Sequence, residues 1–129
     1  TVTGKRLDEI ELPGVIDVMK IDVEGAEQGV IEGGKTLIGK NRPMIFFESG
    51  PQDIPSLNFT KTAMWDLLDQ LDYAILLPAR LAHAQDRMSR EGFIESHLYP
   101  RFTNNYVAIP HERRDEIRQR TRETLGFTD

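Results

Sequence analysis

The 129-residue chain contains no cysteine, which removes disulfides, thiolate zinc sites and a cysteine nucleophile from consideration. No apolar run approaches the roughly 20 residues needed to span a bilayer, so no membrane partner is expected. There is no excess of positive charge either. The 16 Lys and Arg against 21 Asp and Glu leave a net charge of −5, which argues against a nucleic-acid partner held through its phosphates. Repeats and low-complexity tracts are absent. The first residues, Thr1-Val2-Thr3, include neither an initiator methionine nor a signal-peptide pattern, so the stretch reads as a piece of something longer, with a cytoplasmic location expected. What is present is about one domain's length, with 39% hydrophobic and 29% charged residues, enough to build a core and keep it in solution.

Val15–Ile21 is β-branched, nearly continuous and too apolar for an exposed edge, so it predicts a buried strand. It runs straight into Asp22-Val23-Glu24-Gly25-Ala26-Glu27, an acid-rich turn before a helix-forming stretch. In open α/β sheets ligands bind in the crevice beyond the carboxyl ends of the strands. Asp22 and Glu24 stand where that crevice is expected, which makes them candidates for chemistry. The helix that follows places Ala26, Val30, Ile31, Leu37 and Ile38 on roughly one face. Gly33-Gly34 weakens its middle, at about 1 kcal/mol per helical glycine, and Gly39 and Pro43 stop it.

Met44-Ile45-Phe46-Phe47 predicts a second buried strand, which also ends in an acid, Glu48. Met64, Leu67, Leu68 and Leu71 then repeat at helical spacing across Lys61–Leu71. Tyr73–Leu77 predicts a third strand stopped by Pro78, residues 79–103 show no clear periodicity, and Asn105–Ile109 predicts a fourth strand closed by Pro110. The division expected is a domain over residues 1–110 and a charged, partly helical tail over 111–129. Strand, helix, strand, helix, strand predicts an α/β fold with parallel neighbours joined by right-handed crossovers, the last strand running antiparallel after its non-helical connection.

Three stretches together resemble a known family. Asp17-Val18-Met19-Lys20-Ile21-Asp22-Val23-Glu24-Gly25-Ala26-Glu27 is followed by Val30-Ile31-Glu32-Gly33-Gly34 and by Arg42-Pro43-Met44-Ile45-Phe46-Phe47-Glu48. Their order and spacing are similar to the C-terminal half of an FkbM-type S-adenosylmethionine-dependent methyltransferase. Thr3 with Leu7-Asp8-Glu9 also resembles the stretch that precedes the first strand there, and Asn105-Tyr106-Val107-Ala108-Ile109-Pro110 resembles the last strand. The resemblance implies a partial class I, Rossmann-like methyltransferase sheet, with this chain supplying strands four to seven. It implies methyl transfer from S-adenosylmethionine to a hydroxyl of a sugar or secondary-metabolite-like acceptor, so the expected partner is a small molecule or glycan. The glycine-rich loop for the methionine part of the cofactor and the acid for its ribose are not among these residues, so the cofactor-binding residues stay unassigned.

O-methylation needs the hydroxyl made nucleophilic and placed in line with the sulfonium methyl. Asp22 and Glu48, at the same end of two strands expected to be adjacent, are the candidates for a general base or for two oxygen ligands to a divalent metal such as magnesium. Lys20 lies on the strand face of Asp22 and is expected to pair with Asp22 or Glu48 or to orient the acceptor oxygen. Glu24 and Glu27 suit the positive end of the helix, with Glu24 also a candidate for substrate hydroxyls. His83 and His97 fall in the segment that, by the resemblance, covers the acceptor, and Asn105 begins the last strand within reach of it. Each has a structural alternative: a strand-end cap for Asp22, a solvated loop entry for Glu48, a solvated loop for either histidine.

Two other classes stay open. An NTP-binding fragment would use Asp22 as a magnesium-binding acid, but needs a Gly-x-x-x-x-Gly-Lys-Ser/Thr loop that these residues lack. A non-catalytic interaction module would use the edge of Val15–Ile21, whose unpaired backbone groups call for the missing N-terminal half, a second copy in a homo-oligomer, or another protein.

Overall fold

The computed structural model describes residues 1–127. It contains four strands, β1 (Val18–Ile21), β2 (Met44–Glu48), β3 (Tyr73–Leu76) and β4 (Asn105–Pro110). Five α-helices accompany them: α1 (Glu27–Gly33), α2 (Lys35–Asn41), α3 (Lys61–Gln70), α4 (Arg90–Glu95) and α5 (Arg114–Leu125). The last two residues of the expected tail, 128 and 129, lie outside the described residues. No helix among the described residues is long and apolar enough to cross a membrane.

The strands form one mixed sheet in the order β1-β2-β4-β3. β1 and β2 run parallel, with Ile21 opposite Phe47, and β4 runs antiparallel to both β2 and β3. The expectation of parallel neighbours therefore holds for β1 and β2 but not for β2 and β3, between which β4 is inserted. The reason lies in the connections. α3 carries the chain past one strand's width, and the segment after β3 lets β4 turn back into the gap. The carboxyl ends of β1, β2 and β3 and the start of β4 consequently share one edge.

Alternation along the strands sorts side chains to two faces. Ile21, Ile45, Phe47, Tyr73, Ile75, Tyr106 and Ala108 turn to one face and bury against Ile31, Ile38, Met64, Leu67, Leu68 and Phe93 of the helices. On the other face Leu76, Val107 and Ile109 pack on Ile117 of α5. That second layer covers β3 and β4 but leaves the same face of β1 open: Val18 is 55% exposed and Lys20 is exposed. The apolar run Val15–Ile21 accordingly contributes a strand of only four residues, with Val15 76% exposed. Its hydrophobicity, read as burial, is satisfied on one side only.

The single helix expected after β1 is broken into α1 and α2 at Gly34. A Cβ at Gly34 would stand 2.7 Å from Leu7 Cδ2, so the break is the point where the 3₁₀ turn at Leu7–Glu9 docks. From that turn Asp8 reaches the start of α2 and accepts the N–H groups of Thr36 and Leu37. The Leu37 N–H holds its carboxyl below the ordinary carboxylate range. Residues 79–103, expected to be irregular, contain α4, a short helix capped by the Ser89 hydroxyl.

Arg42, in left-handed conformation at the end of α2, closes the opposite edge of the sheet. Its guanidinium donates to the carbonyls of Leu71 and Asp72, forms a bidentate pair with Glu112 at 2.7 and 2.8 Å and lies 4.7 Å from the centre of the Tyr73 ring. The bond to Arg42 lowers the Glu112 carboxyl from 4.5 to about 2. A depressed carboxylate contributes stability above its unfolded value and loses it as pH falls toward the folded one. The Glu112 side chain is half exposed, so screening limits the pair to about 1 kcal/mol. Glu112→Gln is therefore expected to lower the urea midpoint near neutrality and to converge with the unsubstituted protein between pH 4.5 and about 2. A difference that persists undiminished at the acid end would assign the loss to packing.

Candidate active site

The carboxyl edge of the sheet is built around Glu48. Register places Asp22 next to it, one residue past the Ile21–Phe47 pair, and Asn105 directly opposite it on β4. Lys20, Glu48 and Asn105 line one cleft of about 310 Å³ together with Phe46, Tyr106 and Pro78. That size lies at the small end of the range for small-molecule sites. Three of the residues singled out in the sequence are thus brought together. The ion pair expected of Lys20 is not formed: Lys20 is exposed on the uncovered face of β1 and pairs with neither Asp22 nor Glu48. Asp22 is exposed beside the cleft without lining it.

The turn after β1 is held from inside by Glu27. Its carboxylate accepts the N–H groups of Val23 and Gly25 at 3.0–3.3 Å and is buried, at 5% exposure. This fixes Glu24 at φ +53° and Gly25 at φ +105°. The first is a conformation that costs a non-glycine residue about 1–2 kcal/mol. Glu24 points its backbone around the corner and is exposed. Glu27, read from sequence as an acid favoured at the helix start, stands in the first turn of α1 and is also the turn's internal fastener.

On the helical side of Glu48 a narrow crevice of about 40 Å³ is lined by Glu27, Gln28, Glu48, Ser49, Asp53 and Lys61 among others. Asp53 and Lys61 pair at 2.7 Å, and that bond lowers the Asp53 carboxyl. Gln28, 6% exposed, donates its amide nitrogen to Glu32 and to the Asn58 carbonyl. Both partners are acceptors, which fixes the amide's orientation and leaves its Oε1 buried with no hydrogen-bond partner.

His83 is not part of this group. Its carbonyl accepts from Arg114 and Arg118, which holds its loop against α5. His97 is buried next to Ser49, with Nε2 2.8 Å from the Ser49 hydroxyl. The sequence signal for that pair was half present, since Ser49 alternates to the face opposite Glu48. His97 could not be placed, because it follows a six-residue helix with no readable period. No cluster of three or more His, Asp and Glu side chains suited to a metal ion occurs among the described residues. The magnesium site drawn from Asp22 and Glu48 therefore gains no third ligand and no support.

The surface at this edge offers a carboxylate at Glu48 and an exposed ammonium at Lys20, while the unpaired amide oxygen of Gln28 is buried beneath the narrow crevice. The carboxylate accepts hydrogen bonds from hydroxyl, amino and ammonium groups, and the Lys20 ammonium donates to hydroxyl and carbonyl oxygens. No curated protein and no solved structure matches the chain. The family model described as the methyltransferase FkbM domain matches residues 1–75, a span that runs from the Leu7–Glu9 turn through β1, the Glu27-fastened turn, β2 and α3 into β3. The chain belongs to the FkbM methyltransferase family.

Proposed function

We propose that this chain is the acceptor-side half of a methyltransferase domain that transfers a methyl group from S-adenosylmethionine to a hydroxyl of a sugar-like or secondary-metabolite-like small molecule. The observation that carries the reading is Glu48: a carboxylate without a partner, in an open cleft with Lys20 and Asn105, at the carboxyl edge of a chain that belongs to this family. The chain's acceptor-rich edge suits the ammonium and hydroxyl groups of the cofactor as well as those of a hydroxylated acceptor. When bound, the cofactor supplies an electrophilic methyl on a positively charged sulfur. Glu48, which lines both the wide cleft and the narrow crevice, receives the acceptor's hydroxyl and fixes its direction, Asn105 holds the rest of the acceptor in the cleft, and Lys20 stands at the cleft mouth. Asp22 and Glu24 are assigned to the rim, where the turn meets the ligand.

The strands here correspond in this reading to the fourth to seventh of a class I sheet, and the glycine-rich loop and ribose-binding acid belong to the preceding half. The outer edge of β1 takes no strand among the described residues, and the face of Val18 and Lys20 is open, as a docking half requires.

Titration of tritiated S-adenosylmethionine into this chain and into the full-length polypeptide tests the assignment. Binding by the longer protein alone is the expected result, and absence of binding by both would sink the methyltransferase reading. Glu48→Gln is expected to lower kcat/KM for the acceptor by about 10- to 100-fold. That is the loss corresponding to one hydrogen bond to a charged group, about 1.5–3 kcal/mol at 1.4 kcal/mol per tenfold. Unchanged kcat/KM would remove Glu48 from the site.

A further inference from the structure

The ring of His97 is 2% exposed, wedged between Phe93, which it meets edge-on at 4.8 Å, and Tyr106, on which it stacks at 5.1 Å. Its Nδ1 lies 2.7 Å from the Phe93 carbonyl. A carbonyl only accepts, so Nδ1 carries the ring proton. The Tyr106 hydroxyl, 3.4 Å from Nδ1, fits the same assignment, because its own proton has the Ser96 hydroxyl or the Thr103 carbonyl to go to. In the neutral ring Nε2 is then bare, and the hydroxyl 2.8 Å away, Ser49 Oγ, must be the donor. Ser49 therefore has its proton committed to the imidazole and its lone pairs free, and it lines the crevice beside Glu48.

The geometry points to Ser49 and His97 as the proton acceptor of the reaction: Ser49 takes the proton of the acceptor hydroxyl while passing its own to His97 Nε2. This rests on the methyl-transfer reading: Glu48 lines both the wide cleft and the crevice of Ser49, so an acceptor hydroxyl held at Glu48 meets the relay there and has a base other than Glu48. The step balances. The acceptor's O–H bond breaks and its oxygen forms a C–O bond to the methyl of a sulfonium donor. The C–S electron pair stays on sulfur, and the positive charge lost there appears on the imidazolium, which later releases its proton to water. The Phe93 carbonyl holds Nδ1–H throughout, so the ring is kept in the tautomer that can accept. The charged groups facing the ring are Asp53, which favours the imidazolium, and Lys61, which opposes it. Burial keeps the resting ring neutral by lowering its pKa from the ordinary 6.5, so it starts in the form that can take a proton.

Two measurements on the full-length protein test this. Nitrogen NMR of isotope-labelled histidine is expected to show His97 with a protonated Nδ1 and a bare, hydrogen-bonded Nε2 that shifts in Ser49→Ala. A proton on Nε2, or an imidazolium at neutral pH, overturns the proposal without any reference to turnover. Methyl transfer from tritiated S-adenosylmethionine to a panel of methyl glycosides supplies the second arm, with folding of each variant checked by thermal melting. His97→Gln leaves an amide oxygen able to orient Ser49 but unable to take its proton, and is expected to lower kcat by about 10²–10⁴-fold, with loss of the acid limb of the pH–rate profile. Retained kcat in a folded His97→Gln overturns the base assignment, and loss confined to Glu48→Gln transfers it to Glu48. No transfer by the unsubstituted protein to any glycoside, together with no S-adenosylmethionine binding, overturns the methyltransferase reading and the relay with it.

Discussion

Arg114→Ala is expected to cost about 3 kcal/mol of folding stability, a large share of the 5–15 kcal/mol that holds a domain of this kind together. Arg114 is 4% exposed, and burial lowers its pKa. Its guanidinium donates to the carbonyls of Leu81, His83 and Gln85 at 2.8–3.0 Å. Residues 81–86 include no helix or strand of their own, so these bonds stand in for the ladder that a regular element would have. Hydrogen bonds to a charged group contribute about 1.5–3 kcal/mol each, and the sum is reduced because the freed carbonyls are near water. Arg118 shares the His83 carbonyl at 2.9 Å, so Arg114→Ala and Arg118→Ala are expected to be non-additive. Arg114→Lys should recover little, since one ammonium does not span three carbonyls set around a planar fork. The check is a urea titration at unchanged m-value, with hydrogen exchange at the His83 N–H, which is bonded to Arg80. Exchange as slow as in the unsubstituted protein would mean that the loop holds itself.

The second large effect is at Glu27. Glu27→Ala removes both anchors of the Asp22–Ala26 turn and leaves Glu24 at positive φ with nothing to hold it there. About 2–3 kcal/mol is expected to be lost, from the charge-assisted bonds together with the favourable placement of a negative charge at the first residue of α1. Glu27→Gln keeps one acceptor oxygen and should lose about half as much. Because Ser49 lines the same crevice as Glu27, slack in the turn should also disturb the Ser49–His97 hydrogen bond. Circular dichroism melting of the two variants checks the first part and the nitrogen shift of His97 Nε2 the second. Full stability in Glu27→Ala would show that the backbone carries the turn unaided.

These effects also mark where the sequence was readable. β2, β3 and β4 were legible because their apolar residues are buried on both faces or nearly so, and the periodicity of α3 placed Met64, Leu67 and Leu68 in the core. The carboxyl-edge site was legible in part. Glu48 and Lys20 come from adjacent parallel strands, so strand ends alone locate them. Asn105 joins them only because β4 lies beside β2. What was not legible depended on partners distant in the chain. Glu27 and Arg114 look like surface charges until the N–H and C=O groups they satisfy are known. Ser49 and His97 are 48 positions apart. Gly33-Gly34 reads as a weak helix middle, whereas at Gly34 Leu7 packs where no Cβ fits, a contact with a residue 27 positions earlier that local pattern does not reveal. The Val15–Ile21 run was over-read, because hydrophobic composition says that a surface wants covering and not which chain covers it.

The strand order also has a consequence for synthesis. Of the four described strands β4 is the last to leave the ribosome, yet it occupies the slot between β2 and β3. Until residue 110 has emerged, the hydrogen-bonding edges that β2 and β3 offer to β4 have no companion, and the family-matching stretch, residues 1–75, ends inside β3. The nascent chain therefore carries the β1–β2 pair and a lone β3 that are joined in one late event, and a stop codon anywhere before Asn105 would leave them apart.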